Sequence, residues 1–66
     1  MKVVLNGEPR EIDAGSSIRV LLDAADYGQR RVAVEVNRSI VPRSRHAEHI
    51  LQDDDRIEIV HAMGGG

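Results

Sequence analysis

The sequence ends in three glycines, Gly64, Gly65 and Gly66. Glycine loses more backbone freedom on ordering than any other residue, and it has no side chain with which to react. What it leaves unhindered is the terminal carboxylate of Gly66. Two readings stand open on these residues alone: an inert, flexible terminus (or a cloning remnant), or an acyl group delivered on a thin tether. With no Cβ atoms, Gly64, Gly65 and Gly66 can thread a narrow channel and leave the acyl carbon open to attack. Met63 precedes them. An apolar, adaptable side chain there suits a plain strand end and a docking surface equally well.

Other chemistry in the chain is sparse. There is no cysteine, which excludes disulfides, thiolate metal sites and any side-chain persulfide. His46 and His49 lie three apart and could share one helical face, with Glu48 and His61 as further ligands. No third ligand is aligned with them by spacing, so surface histidines without a metal are expected. Asp53, Asp54 and Asp55 read as a solvated acidic turn. No spacing suggests a catalytic constellation, and no bound cofactor is implied.

Composition narrows the class. At 66 residues and 41% hydrophobic content, the chain makes one small domain resting on aliphatic packing, since Tyr27 is its only aromatic residue. A net charge of −2 with both signs interspersed lacks the basic face of a nucleic-acid binder. No apolar run approaches a membrane span, and the N-terminus lacks the apolar core of a signal peptide. A cytoplasmic protein is therefore expected. Of the nine basic residues only Lys2 is a lysine, too few for a modifier that builds chains through isopeptide bonds.

The elements that must position the tail are legible in outline. Lys2 to Ile12 reads as two short strands around Asn6-Gly7, a strong hairpin signal because both residues tolerate positive φ. Pro9 places the returning strand at a sheet edge. Ile18, Leu21, Leu22 and Ala25 then fall on one helical stripe. Ser16 or Ser17 caps its start, and Gly28 is the expected C′ residue after about three turns. Val32, Val34 and Val36 alternate with Ala33, Glu35 and Asn37, the clearest strand in the chain. A short strand at Ile40-Val41, a helical turn or two over 43–51 and a last strand with Ile57 and Ile59 facing inward complete the order. One helix must cover one face of the sheet. The expected fold is an α+β roll, a mixed four- to five-stranded sheet with the helix packed across it. Val4, Ala33 and Val60 have the parity to point away from the helix, as scattered surface aliphatics or as one partner-binding patch.

These features together resemble a known family. The hairpin at Leu5-Asn6-Gly7-Glu8, the Leu21-Leu22 helix, the run Arg31 to Arg43 (RVAVEVNRSIVPR) and the close DDDRIEIVHAMGGG are similar to the thiamine-biosynthesis sulfur carriers, in the ubiquitin-like β-grasp group. The resemblance spans essentially the whole chain. One departure is Asp54, where family members commonly carry glycine; aspartate tolerates positive φ better than most residues.

The resemblance implies a β-grasp domain over residues 1–62 and a flexible glycine tail over 63–66. It implies a carrier of sulfur as a C-terminal thiocarboxylate on Gly66, not an enzyme. Its partners would be an adenylating enzyme related to the ubiquitin-activating enzymes, which consumes ATP, a sulfur donor protein, and thiazole synthase. Neighbouring expectations are the same chemistry in molybdopterin, cysteine or siderophore synthesis, a ubiquitin-like protein modifier, and an interaction module with an idle tail.

Overall fold

The computed structural model describes residues 1–28 and 30–61, and for His61 its backbone alone. Strand β1 (Lys2–Leu5), strand β2 (Glu8–Glu11), helix α1 (Ile18–Ala24), strands β3 (Val32–Val36) and β4 (Ser39–Val41), a 3-10 turn (Arg43–Arg45) and strand β5 (Arg56–His61) follow in order. The five strands form one sheet in the order β2-β1-β5-β3-β4. β1 and β5 are parallel; the other neighbours are antiparallel. The first and last strands of the chain therefore meet at the centre of the sheet.

Period-2 alternation sends one set of side chains under the helix. Val3 and Leu5 from β1, Val34 and Val36 from β3, and Ile57 and Ile59 from β5 are all buried against Ile18, Leu21 and Leu22 of α1. Val41 and Leu51 complete the cluster. Each such aliphatic contributes about 1.5–3 kcal/mol on full burial, and with no cysteine in the chain no disulfide adds to it.

Both hairpins turn on an asparagine. Asn6 and Gly7 have φ of 49° and 86°, and Asn37 and Arg38 have φ of 50° and 73°. Two successive positive φ values across a two-residue loop define the primed turn that matches strand twist. Pro9 lies in β2, the outermost strand on its side, where a missing N–H is tolerated.

The helix is shorter than its stripe suggests. It ends at Ala24, with Ala25 as C-cap. Asp26, not Gly28, takes the left-handed position, with φ of 68°. Tyr27 N–H then donates to the Leu22 carbonyl at 2.8 Å and Asp26 N–H to the Asp23 carbonyl at 3.3 Å, the two bonds of a Schellman motif. A Cβ on Gly28 would meet the Asp23 carboxylate, the free end of an exposed side chain that can turn aside. Arg10 reaches across from β2 and donates to the Ala24 carbonyl at 3.2 Å, a cation at a helix C-terminus where the dipole favours one.

At the other end Ser17 is the N-cap, accepting from Val20 N–H at 3.2 Å. The Ile18 and Arg19 amides, which have no intrahelical partner, donate to the carbonyls of His49 and His46 at 3.0 and 3.1 Å. The segment after the 3-10 turn is thus tied to the start of the helix, and this seats Leu51 in the core.

Candidate functional site

The strand that leads to the tail is anchored from both sides at its base. On its β1 side, Asp55 and Ile57 carbonyls accept from Val4 and Asn6 amides, each at 2.9 Å. Asn6 Oδ1 then accepts from Ile59 N–H at 2.8 Å. On its β3 side, Asn37 Oδ1 accepts from Arg56 N–H at 3.0 Å, and Arg56 carbonyl accepts from Asn37 N–H at 2.8 Å. Beyond that, β3 flanks β5 in register as far as Val32 opposite His61. Two turn asparagines therefore grip β5 from opposite sides.

The acidic turn before β5 is built in, not merely solvated. Asp53 Oδ1 accepts from Lys2 N–H at 3.0 Å, and Asp54 N–H donates to the Lys2 carbonyl at 2.7 Å. Asp54 itself has φ of 69°, the left-handed conformation its residue type was expected to tolerate. Asp55 is buried, with Oδ1 accepting from Asn37 Nδ2 at 2.9 Å and Oδ2 from Gln52 N–H at 2.8 Å. These are fixings for the base of β5.

The sheet face away from the helix carries the three aliphatics singled out by parity, in an uneven arrangement. Ala33 and Val60 are direct register partners, and Val60 is 50% exposed. Val4 instead neighbours Arg56. It lies four residues further back along β5, roughly 13 Å at strand rise. Between the two sit Glu35 and Glu58, opposite one another. Val4 lines a shallow depression with Gly7, Glu35, Arg38, Arg56 and Glu58. The three aliphatics thus fall in two places, an apolar pair near the end of β5 and a charged hollow near the first hairpin. Ile40, 68% exposed and paired with Glu35, extends the outer face at the β4 edge. Its exposure escaped the sequence reading, although the strand parity contained it. Met63, Gly64, Gly65, Gly66 and the boundary between residues 62 and 63 lie outside the described residues.

His46 is a structural residue. It is buried, and its Nε2 meets the Val41 carbonyl at 3.0 Å, a contact in which the ring nitrogen must donate. His49 is half-buried beside Ile40, Pro42 and Ile50 in a groove along β4. Among the described residues no three His, Cys, Asp or Glu side chains gather as metal ligands. No helix among them is long and apolar enough to cross a membrane.

A mixed five-stranded sheet with its first and last strands parallel at the centre, and one helix across one face, defines a ubiquitin-like β-grasp domain. The model of the ThiS family matches residues 3–66, and the chain belongs to that family. The sulfur carrier protein ThiS of Escherichia coli is 35% identical over 66 residues, covering all of both chains. The crystal structure of a thiamine biosynthesis protein (ThiS) from Geobacter metallireducens superposes with a TM-score of 0.86 at 30% identity, again over all of both chains. A thiazole synthase of Magnetococcus marinus is 44% identical over 66 residues, all of this chain and 20% of that one. The chain thus spans about a fifth of the length of the thiazole synthases it matches.

Proposed function

We propose that this protein delivers sulfur as a thiocarboxylate on Gly66 for assembly of the thiazole ring of thiamine. A carboxylate is a poor acyl donor because delocalised negative charge shields its carbonyl carbon. In the proposed sequence a Gly66 carboxylate oxygen attacks the α-phosphorus of ATP on an activating enzyme, and pyrophosphate leaves. Sulfur at the sulfide level, brought by a donor protein, attacks the acyl carbon of the adenylate, and AMP leaves. Thiazole synthase then takes the sulfur. The carrier binds no cofactor of its own and acts in the cytoplasm. Its contribution is delivery: a tail without Cβ atoms on a strand whose base is held from both sides.

The observation that carries this reading is the family match running through residue 66, which places the glycines inside the shared pattern. The relatives in which a stretch like this chain forms part of a thiazole synthase support that enzyme as the acceptor. The test is an intact-mass spectrum after incubation with the activating enzyme, ATP and a sulfur donor. One sulfur in place of one oxygen, mapped to the C-terminal peptide, is the expected result. An unchanged mass, with the same enzyme competent on another carrier, overturns the reading.

Docking falls to the outer sheet face, with Val60 and Ala33 near the end of β5 and Val4 further back, together with Met63. Val60→Asp should leave the fold intact and weaken binding of the activating enzyme about tenfold, the effect of losing one well-buried apolar contact. Equal affinity in a titration would remove Val60 from the interface.

A further inference from the structure

The backbone of β5 is satisfied unevenly along its length. Asp55, Ile57 and Ile59 direct their backbone groups to the β1 side, as the bonds from Val4 and Asn6 and to Asn6 Oδ1 show. Strand period sends His61 to the same side. β1 stops at Leu5 and turns away at Asn6-Gly7, and its register with β5 covers only Val4 with Arg56 and Leu5 with Ile57. Asn6 replaces the missing strand for one group, the Ile59 N–H. The next two groups in line, the Ile59 carbonyl and the His61 N–H, lie beyond the last β1 register pair, Leu5 with Ile57, so no described strand flanks them on that side. β5 is therefore a central strand at its base and an edge strand where it leads to the tail.

From this geometry we propose that thiazole synthase binds the carrier by strand addition, an extended segment of the enzyme pairing with the Ile59 carbonyl and the His61 N–H. The inference rests on the carrier reading above and adds the mode of recognition. An unpaired strand edge is a template for another chain, and main-chain pairing supplies affinity independent of side-chain identity. The position also serves delivery. A segment paired beside Ile59 and His61 fixes the direction in which the next residues leave the sheet, so the tail enters the partner already aligned.

The backbone bond can be removed without touching the β3 ladder. His61 N–H points away from β3, so His61→Pro deletes a donor only on the open side, and Val60 already has the extended backbone that a residue before proline prefers. His61→Ala is the matched control that keeps the N–H. Calorimetric titration with thiazole synthase should show His61→Pro binding about tenfold more weakly than His61→Ala, one hydrogen bond's worth. Amide exchange on the unsubstituted carrier provides a readout that needs no variant to fold. The His61 amide should exchange at least about tenfold more slowly in the complex. A complex that forms with this amide unprotected, or with the proline and alanine variants equal, overturns strand addition and leaves the carrier role standing. An unsubstituted carrier that fails to bind thiazole synthase overturns both the inference and the choice of acceptor, while thiocarboxylate formation remains separately readable by mass.

Discussion

The two hairpin turns start with the same residue in the same conformation and differ in nearly everything else. Asn6 leads into Gly7, and Asn37 leads into Arg38; the four φ values lie between 49° and 86°. At the first turn glycine meets the left-handed requirement without steric cost. At the second an arginine bears it, at a cost on the order of 1 kcal/mol. The asparagines divide their work differently as well. Asn6 uses its side-chain oxygen to stand in for an absent strand at Ile59. Asn37 uses both ends of its amide, one on Arg56 N–H and one on the buried Asp55 carboxylate. The lesson is that a turn residue here is chosen for two demands at once, its own φ and the strand its side chain can reach. Asparagine is one of few residues that satisfies both.

Substitutions can break this comparison. Asn37→Ala should have the largest effect, about 3 kcal/mol, because it leaves a buried carboxylate short of a donor and puts alanine at positive φ. Urea denaturation reads it as a lower midpoint with an unchanged slope. Asn6→Ala should cost about 2 kcal/mol, since its lost partner is a backbone amide in a strand that β3 still flanks. If Asn6→Ala proves the more damaging, the Asp55 contact matters less than its burial implies. The reciprocal pair sharpens the difference at the second position. Gly7→Ala should destabilise by about 1 kcal/mol, whereas Arg38→Gly should stabilise by about 0.5 kcal/mol, the relief of strain partly offset by the greater freedom of unfolded glycine. Equal and opposite shifts in the two midpoints would show that strain alone sets the scale.

The same pair shows what was legible in advance. Asn6-Gly7 announces a hairpin because both residue types favour positive φ. Asn37-Arg38 does not: arginine carries no turn signal, and Asn37 reads as the last outward residue of a strand. The helix stripe was visible, yet the end was misplaced because Asp26 took the left-handed role expected of Gly28. The outer face of the sheet could be predicted from alternation alone. Its division into an apolar pair and a charged hollow could not, since that depends on which residue of β5 meets Val4 and which meets Ala33. Those registers join segments far apart in the chain. The three glycines of the tail limit by residue type what it can do, and their chemistry rests on the proposal above and not on the fold.

The placing of β5 at the centre of the sheet has a consequence for how the molecule comes into being. A ribosome delivers β1 and β2 first, then the helix, then β3 and β4, and the two hairpins share no strand until residues 56–61 emerge. Until then each hairpin displays a bare edge, and Val3, Leu5, Val34 and Val36 have no common core to enter. Contacts between the ends of a chain are the slowest to form. For this domain they are also the ones that close the sheet, so folding and the presentation of the strand that bears the tail become a single event.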